Sequence, residues 1–387
     1  MIYLDHAATT PIFPEVLDVM LPWFQPDRVG NPSSIHTQGV KARKAVEKAR
    51  HQVANMIGAE PSEIFFTSGG TESNNTWIRC LKNPRLMSEF ILTTRVEHHS
   101  VLEAISHSSA SCSCRRYPML VDVRPDGTVD LDDLEHKVST QQVTIDAVSI
   151  MWVNNELGTV NPIKEIGDIC KKYDIPFHSD AVAAAGHVPI DVHKCGVDFL
   201  SLSGHKFGAP QGIGVLYINN SIRKRPLIAG GGQEHEMRGG TENVPGIVGI
   251  GRAAEIVTSQ LTVNMQMWGY YRARFMTDLN KNMPGEFRIN VDSDDSTSNI
   301  ISLTVPGVNS ESLLLLLDQQ DIYISAGSAC SAASSEPSHV LRGVGISDED
   351  AACTVRISMG FDTTYTDIVR AAKSIADTVH RLKSMYP

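Results

Sequence analysis

The sequence predicts an α/β protein with a mainly parallel sheet that is covered by helices. Short apolar runs alternate with segments of helical periodicity, the pattern of sheets built from strand–helix–strand units. A polar motif directly follows each of these apolar runs, where ligands bind in open α/β sheets. The chain has 387 residues and a hydrophobic content of 42%, which suffice for two domains and a sizeable core.

The composition excludes several classes of protein. A charged fraction of 20% is typical of globular proteins rather than disordered ones. The formal net charge of −10 argues against a nucleic acid or an anionic membrane as the direct partner. We see no signal peptide and no apolar run that approaches membrane-spanning length. Seven cysteines indicate no disulfide framework, and we therefore expect a cytoplasmic protein.

The elements can be placed by their periodicity. Strands are predicted at residues 64–66, 90–92, 147–153, 176–180, 197–200, 215–218 and 300–305. Helices are predicted at residues 39–57, 247–282 and 310–319, and the residues up to about 14 are expected to be extended. The helix at 247–282 is expected to lead into a second domain.

The most informative run covers residues 201–214, where Ser203, His205 and Lys206 stand between an apolar strand and a Gly/Pro-rich turn. Partial desolvation at a strand end favours the neutral amine of a lysine, which suits Schiff-base chemistry. The neighbouring serine and histidine could hold an anion such as a phosphate. Most lysines in loops are simply solvated, so this interpretation needs partner residues.

Asp180 is the first such partner, because it ends the strand predicted at 176–180. The carboxyl ends of parallel strands meet at one edge of a sheet, so Asp180 and Lys206 should enter the same crevice. Pyridoxal phosphate needs this pair, a lysine for its aldehyde and an acid that keeps its ring nitrogen protonated. A lone aspartate would more often cap a helix.

Two further motifs are consistent with that cofactor. Gly70 and Thr71 open a helix, whose free N–H groups and positive dipole end attract a phosphate. Because serine and threonine cap helices everywhere, this signal is weak when taken alone. His98 follows the strand at 90–92 and is either a structural histidine or a ring that stacks on the cofactor and moves protons.

The second half of the chain adds three features. A glycine-rich loop at residues 230–243 is long enough to be functional. Small residues surround Cys330, which fits an exposed nucleophile better than a core thiol. Arg356 lies in a strand-like run and needs either a substrate carboxylate or a structural salt bridge.

Cys112 and Cys114 have no second pair at metal spacing, so a surface loop is favoured over a metal site.

Taken together, these motifs resemble the cysteine desulfurases of the NifS/IscS type, which are fold-type I pyridoxal-phosphate enzymes of the class V aminotransferase family. The matching stretches run nearly end to end and comprise residues 3–10, 30–34, 67–75, 97–98, 154–156, 178–182, 201–214, 230–245, 325–337 and Arg356. The resemblance implies a large cofactor-binding domain with a seven-stranded sheet, at residues 15–255. It also implies a smaller α+β domain of residues 1–14 and 256–387, with the catalytic cysteine loop at about 325–337.

The resemblance implies how the cofactor is held. Lys206 would bind pyridoxal 5′-phosphate as a Schiff base, Asp180 would pair with its ring nitrogen, and His98 would stack on the ring and take part in acid/base steps. The phosphate would be bound by Gly70, Thr71, Ser203 and His205, and by Thr241 from the other subunit of a homodimer.

The resemblance also implies the reaction. Asn155, which would contact the cofactor as well, and Arg356 would hold the carboxylate of L-cysteine. Cys330 would take the substrate sulfur as a persulfide, and alanine would be released. A protein acceptor would then receive the sulfur, for iron–sulfur assembly or for thiolation of nucleic acid. No metal and no membrane are expected to take part.

One residue departs from the family pattern, and two alternatives remain. Ala183 stands where the family usually has a glutamine that contacts the phenolic oxygen of the cofactor, a hydrogen bond worth about 0.5–1.5 kcal/mol. A selenocysteine lyase, or another lyase or aminotransferase, would use the same fold, but the setting of Cys330 favours sulfur transfer. An inert scaffold for a sulfur-acceptor complex is disfavoured because Lys206, Asp180 and Cys330 are all present.

Overall fold

The computed structural model describes residues 1–81, 88–108, 115–140, 143–291, 296–326 and 337–385. The predictions that concern Cys330, Cys112 and Cys114 lie outside these residues.

The strands, numbered along the chain, are β1 (Ile2–Tyr3), β2 (Ile64–Thr67), β3 (Ser88–Thr94), β4 (Arg115–Val121), β5 (Ile145–Ser149), β6 (Phe177–Asp180), β7 (Phe199–Ser203), β8 (Gly214–Ile218), β9 (Arg288–Ile289), β10 (Ile300–Thr304), β11 (Ile322–Tyr323), β12 (Ser325–Ala326) and β13 (Thr354–Ser358). The α-helices are α1 (Pro14–Met20), α2 (Thr37–Ile57), α3 (Gly70–Cys80), α4 (His99–His107), α5 (Leu131–Ser139), α6 (Ile163–Lys172), α7 (Val244–Asn282), α8 (Ser310–Asp318), α9 (His339–Gly343), α10 (Asp348–Ala352) and α11 (Tyr365–Met385).

Within the described residues, seven strands form the large sheet in the order β2-β8-β7-β6-β5-β3-β4. The five strands from β7 to β4 in that order are parallel, whereas β8 runs antiparallel to both of its neighbours. Helices cover both faces, because Phe65 packs in a cluster with Trp77 of α3, whereas its neighbour Phe66 packs with Val46 of α2. The predicted α/β class with a mainly parallel sheet is confirmed.

A second apolar core lies around the sheet β12-β13-β10-β9, whose strands pair antiparallel. Helix α7 links the two cores, since Ile250 belongs to the first whereas Trp268 and Phe275 belong to the second. The amino terminus joins the second core through the parallel pair of β1 with β11 and through the buried Leu4. The domain boundaries expected from the sequence stay a prediction.

The long predicted helices form at the expected places. His36 caps α2, because its Nδ1 accepts the Gly39 N–H at 3.3 Å, and Gly58 ends the helix in the left-handed region at φ 69°. The strand predicted at 147–153 instead covers Ile145–Ser149, and beyond it Val153 forms an isolated antiparallel bridge with Val160. No helix among the described residues is both long enough and apolar enough to cross a membrane.

Candidate active site

A cavity of about 280 Å³ opens where the carboxyl ends of β3, β5, β6 and β7 meet. The predicted site residues that line it are Gly70, Thr71, His98, Asn155, Asp180, Ser203, His205, Lys206 and Arg356. Ala183 lines it as well, at the position of the missing glutamine. Thr241 is exposed and does not line this cavity, and Cys330 lies outside the described residues.

Lys206 stands on a single 3₁₀ turn directly after β7. Its Nζ donates to the carbonyl oxygens of Ala7 at 2.5 Å and Ala8 at 2.9 Å. The same amino-terminal segment is fixed to the turn by Thr10, whose N–H and Oγ1 donate to the carbonyl oxygen of His205 at 2.8 and 2.9 Å. The start of the chain therefore positions the lysine that emerges from the sheet.

Asp180 ends β6 with its carboxylate buried in the cavity wall. Its Oδ1 accepts the Val182 N–H at 3.0 Å, and its Oδ2 accepts a hydrogen from Asn74 Nδ2 at 2.8 Å. Both partners can only donate from these atoms, so they suit an acceptor carboxylate. The sequence did not identify Asn74, although it lies in the matching stretch of residues 67–75.

His98 caps helix α4, and this contact defines its proton. Its Nδ1 accepts the Ser100 N–H at 3.1 Å and lies 2.7 Å from Ser100 Oγ. A backbone N–H only donates, so Nδ1 carries a lone pair and the neutral ring bears its hydrogen on Nε2. Burial lowers the pKa of His98, the Asp180 carboxylate opposes that effect, and Lys206 adds to it. The ring is therefore neutral at pH 7.

The part of the cavity wall formed by the start of helix α3 is suited to an anion. The N–H groups in the first turn of any helix lack intrahelical acceptors. Helix α3 begins at Gly70, and no side chain among the described residues caps it, so these N–H groups are available to an anion. A Cβ at Gly70 would lie 2.7 Å from Val182 Cγ2, so any larger residue there would force the Val182 side chain to move. Thr71, Ser203 and His205 line the same cavity. Burial, and then Lys206, lowers the pKa of His205 to about 4, which leaves a neutral ring.

Arg356 is buried in β13, with a side chain that is 1% exposed. Its Nη2 forms an ion pair with Asp5 Oδ1 at 2.8 Å, and its Nη1 donates to the carbonyl oxygen of Asn155 at 3.0 Å. Its Nε has no partner within the described residues. Of the two interpretations left open by the sequence, the structure shows the salt bridge, and it also places the guanidinium in the cavity lining.

The cavity lining also contains two glutamates that the sequence motifs did not single out, although both belong to the stretches that match the family. Glu97 Oε1 accepts the Met151 N–H and the Thr94 hydroxyl, each at 3.0 Å. Burial raises the pKa of Glu97 to about 8. Glu156 Oε2 accepts the Ser338 hydroxyl at 2.6 Å, and burial raises its pKa to about 7. Both carboxyls therefore titrate near neutral pH.

The donor set fits pyridoxal phosphate. Lys206 offers an amine for the aldehyde, Asp180 a carboxylate for the ring nitrogen, and the open start of α3 a binding place for the phosphate. The buried Oδ1 of Asn74 and Nε of Arg356 have no partner within the part of the chain that is described, as expected where a ligand completes the contacts. Among those residues, no cluster of three His, Cys, Asp or Glu could hold a metal ion.

Comparison with known proteins agrees with this geometry. The profile of the class-V aminotransferase family matches residues 2–370. The cysteine desulfurase IscS of Methanosarcina thermophila is 41% identical over 388 aligned residues, which cover 100% of this chain and 94% of that protein. A solved structure of a NifS-like protein superposes with a TM-score of 0.88 at 34% identity, covering 98% of this chain and 100% of that one.

A second solved structure, described as SspA in complex with cysteine, has a TM-score of 0.76 at 35% identity, over 93% of this chain and 99% of that one. Full-length similarity at this level, together with the cavity that holds the lysine and the aspartate, defines the family. The chain belongs to the class-V aminotransferases and, among them, to the cysteine desulfurases.

Proposed function

We propose that this protein is a pyridoxal-phosphate-dependent cysteine desulfurase, which converts L-cysteine to L-alanine and transfers the sulfur to Cys330. The observation that carries the proposal is that one cavity brings together Lys206, Asp180, His98 and Arg356. That set supplies an amine, a ring-nitrogen partner, a neutral histidine and a carboxylate receptor. Membership in the family supports the same reaction.

Each group has a task in the proposed reaction. Pyridoxal phosphate, when bound, withdraws electrons from the bonds at the α-carbon of the substrate. Lys206 serves as the amine that anchors the cofactor and as the base for the α-proton of cysteine. Arg356 and the side chain of Asn155 bind the substrate carboxylate. His98, neutral and protonated on Nε2, stacks on the ring and supplies or receives a proton there.

The phosphate is proposed to lie at the start of α3, between Gly70, Thr71, Ser203 and His205. Thr241 is proposed to reach the same phosphate from the other subunit of a homodimer. In support, Thr241 is exposed in its own chain and does not line that chain's cavity.

The destination of the sulfur is proposed from the relatives. Proteins named IscS are similar to this chain over its whole length. A protein acceptor, in iron–sulfur assembly or in thiolation of nucleic acid, would remove the persulfide from Cys330. The cytoplasmic location and the domain boundaries at residues 14 and 255 stay predictions.

The proposal is tested by incubating the purified protein with L-cysteine and a thiol reductant while alanine and sulfide are measured. We expect equal amounts of the two products and a yellow absorption band from the bound cofactor. Arg356→Ala should raise the KM for cysteine at least about tenfold, because it removes the buried guanidinium that is proposed to bind the substrate carboxylate. The matched control is Arg288→Ala, since Arg288 is partly exposed and pairs with Asp350.

The outcomes separate the alternatives. A protein with the absorption band that releases alanine only from L-selenocysteine would be a selenocysteine lyase. A protein with neither the band nor product would be a scaffold. Either result would overturn the proposal.

A further inference from the structure

We propose that Asn74 is a positioning residue that fixes the tautomer of His98 and the orientation of the Asp180 carboxylate through one chain of hydrogen bonds. The inference rests on the proposed function for the roles of His98 and Asp180.

Asn74 is fully buried on the inner side of α3, next to the cavity. Its Nδ2 lies 2.8 Å from Asp180 Oδ2 and 2.8 Å from Ser100 Oγ. The two hydrogens of the amide are thus shared between β6 and α4. Its Oδ1 has no partner among the described residues, so the amide group is held by its nitrogen alone.

The Asp180 carboxylate determines which end of the Asn74 amide faces it. An ionised carboxylate only accepts hydrogen bonds, so the opposite orientation of the amide would place two acceptors 2.8 Å apart. The Val182 N–H already occupies Oδ1 of Asp180. The nitrogen of Asn74 therefore points at Asp180, and the second N–H is directed to Ser100.

The direction of this chain continues to His98. Because Ser100 Oγ accepts from Asn74, its own hydrogen is available for His98 Nδ1, which lies 2.7 Å away. The Ser100 N–H donates to the same Nδ1 at 3.1 Å. Nδ1 thus receives two donors, and the hydrogen of the neutral ring resides on Nε2.

A change of this tautomer would disturb the whole chain. A hydrogen on Nδ1 would leave the Ser100 N–H without its acceptor and would force the Ser100 hydroxyl hydrogen to find another partner inside the protein. Asn74 opposes that change because its N–H faces Ser100 Oγ, so the hydroxyl hydrogen finds no acceptor on that side and is directed to His98 Nδ1. Loss of the Asn74 amide should therefore act on His98 and Asp180 together.

The test is nitrogen-15 NMR of histidine-labelled protein, with and without pyridoxal phosphate, where the His98 signals are assigned by their loss in His98→Gln. The wild type should show His98 with its hydrogen on Nε2. In Asn74→Ala, the population of the Nδ1–H tautomer should rise about fivefold, the ratio that corresponds to one hydrogen bond of about 1 kcal/mol. The dissociation constant of pyridoxal phosphate should rise in the same variant.

Asn75→Ala is the matched control, because Asn75 is the next residue of α3 and, within the described part of the chain, its side chain donates to the Thr71 carbonyl oxygen rather than to Asp180 or Ser100. It should leave the tautomer ratio unchanged. Ser100→Ala should shift the ratio as Asn74→Ala does, and adding Asn74→Ala to Ser100→Ala should change it no further. If Asn74→Ala does not fold, the tautomer ratio in Ser100→Ala still measures the contribution of the hydroxyl that links Asn74 to His98.

An unchanged tautomer in both Asn74→Ala and Ser100→Ala would overturn the inference, and so would an equal shift in Asn75→Ala. The NMR measurement requires no turnover of cysteine. A protein that failed to release alanine could still show the expected tautomer, so failure of this inference and failure of the proposed function are distinguishable.

Discussion

Arg356 and Asp5 form a 2.8 Å ion pair although 351 positions separate them in the sequence. The pair fastens the amino-terminal segment to β13 at the edge of the cavity. The same segment supplies the Ala7 and Ala8 carbonyl oxygens to Lys206. A short stretch at the start of the chain thus touches both the proposed carboxylate receptor and the proposed cofactor lysine.

We expect Asp5→Asn to lower the free energy of unfolding by about 2 kcal/mol, because it leaves the buried guanidinium of Arg356 without its counter-charge. Urea unfolding measures this change. Asp168→Asn is the control, since Asp168 pairs with Lys164 on the exposed surface of α6, where about 0–1 kcal/mol is expected. Equal decreases of the free energy of unfolding in the two variants would show that the buried Asp5–Arg356 ion pair stabilises the protein no more than an exposed one.

The buried carboxyl of Glu97 should make the free energy of unfolding of the protein depend on pH. Burial raises the pKa of its carboxyl from 4.5 to about 8, so the folded protein keeps a proton that the unfolded chain releases. The contribution of Glu97 to the free energy of unfolding is fully present below pH 4.5, the pKa in the unfolded chain. It is lost progressively as the pH rises from there through 8, the pKa in the folded protein. Between pH 6 and pH 8 the wild type should lose about 2 kcal/mol more stability than Glu97→Gln.

Urea unfolding at the two pH values tests this, with Glu165→Gln on the exposed face of α6 as control. The control should follow the wild type at both pH values. A Glu97→Gln profile parallel to the wild type would mean that Glu97 is ionised in the folded protein throughout this range.

Ser338 has two tasks at the start of α9. Its Oγ caps the helix by accepting the N–H groups of Val340 and Leu341, and it donates to Glu156 in the cavity wall. Ser338→Ala should destabilise the protein by about 1 kcal/mol more than Ser347→Ala. Ser347 likewise caps its helix, α10, but its hydroxyl contacts the partly exposed carboxylate of Asp350, whereas the Ser338 hydroxyl contacts the buried carboxyl of Glu156. Thermal or urea unfolding compares the two, and an equal cost would show that the Glu156 contact adds nothing.

Substitution of Ala183 should strengthen the binding of pyridoxal phosphate rather than weaken it. Ala183→Gln restores the side chain that the family usually has beside the phenolic oxygen of the cofactor, and one hydrogen bond is worth about 0.5–1.5 kcal/mol. The dissociation constant of pyridoxal phosphate should fall about two- to tenfold, as measured by titration of the cofactor-free protein. Weaker binding in the variant would show that the cavity is adapted to alanine.

The sequence predicted most of the cavity because the geometry of a parallel sheet is general. Polar residues that follow successive strands converge at its carboxyl edge, so the positions of Asp180 and Lys206 at two strand ends were enough to pair them. The resemblance to cysteine desulfurases placed Arg356 in the same site.

What the sequence could not predict depends on contacts between distant segments. The Asn74–Ser100–His98 chain requires the relative positions of two helices, which periodicity does not provide. Asp5 and Arg356, which form an ion pair, are 351 positions apart, and no rule of sequence spacing relates residues at that distance. For Thr241, the single chain shows only exposure, so its proposed contact across a dimer stays a prediction.

The proposed reaction depends most on the transfer of the substrate sulfur to Cys330. The most direct measurement compares the release of alanine and sulfide from L-cysteine plus reductant by the wild type and by Cys330→Ala, with the absorption spectrum recorded on the same samples. We expect the variant to keep the cofactor band and to lose product release. Unchanged release of alanine by Cys330→Ala would contradict a persulfide on this cysteine and would mean that another thiol, such as the reductant, takes the sulfur. Pyruvate and ammonia in place of alanine would indicate elimination of sulfide instead.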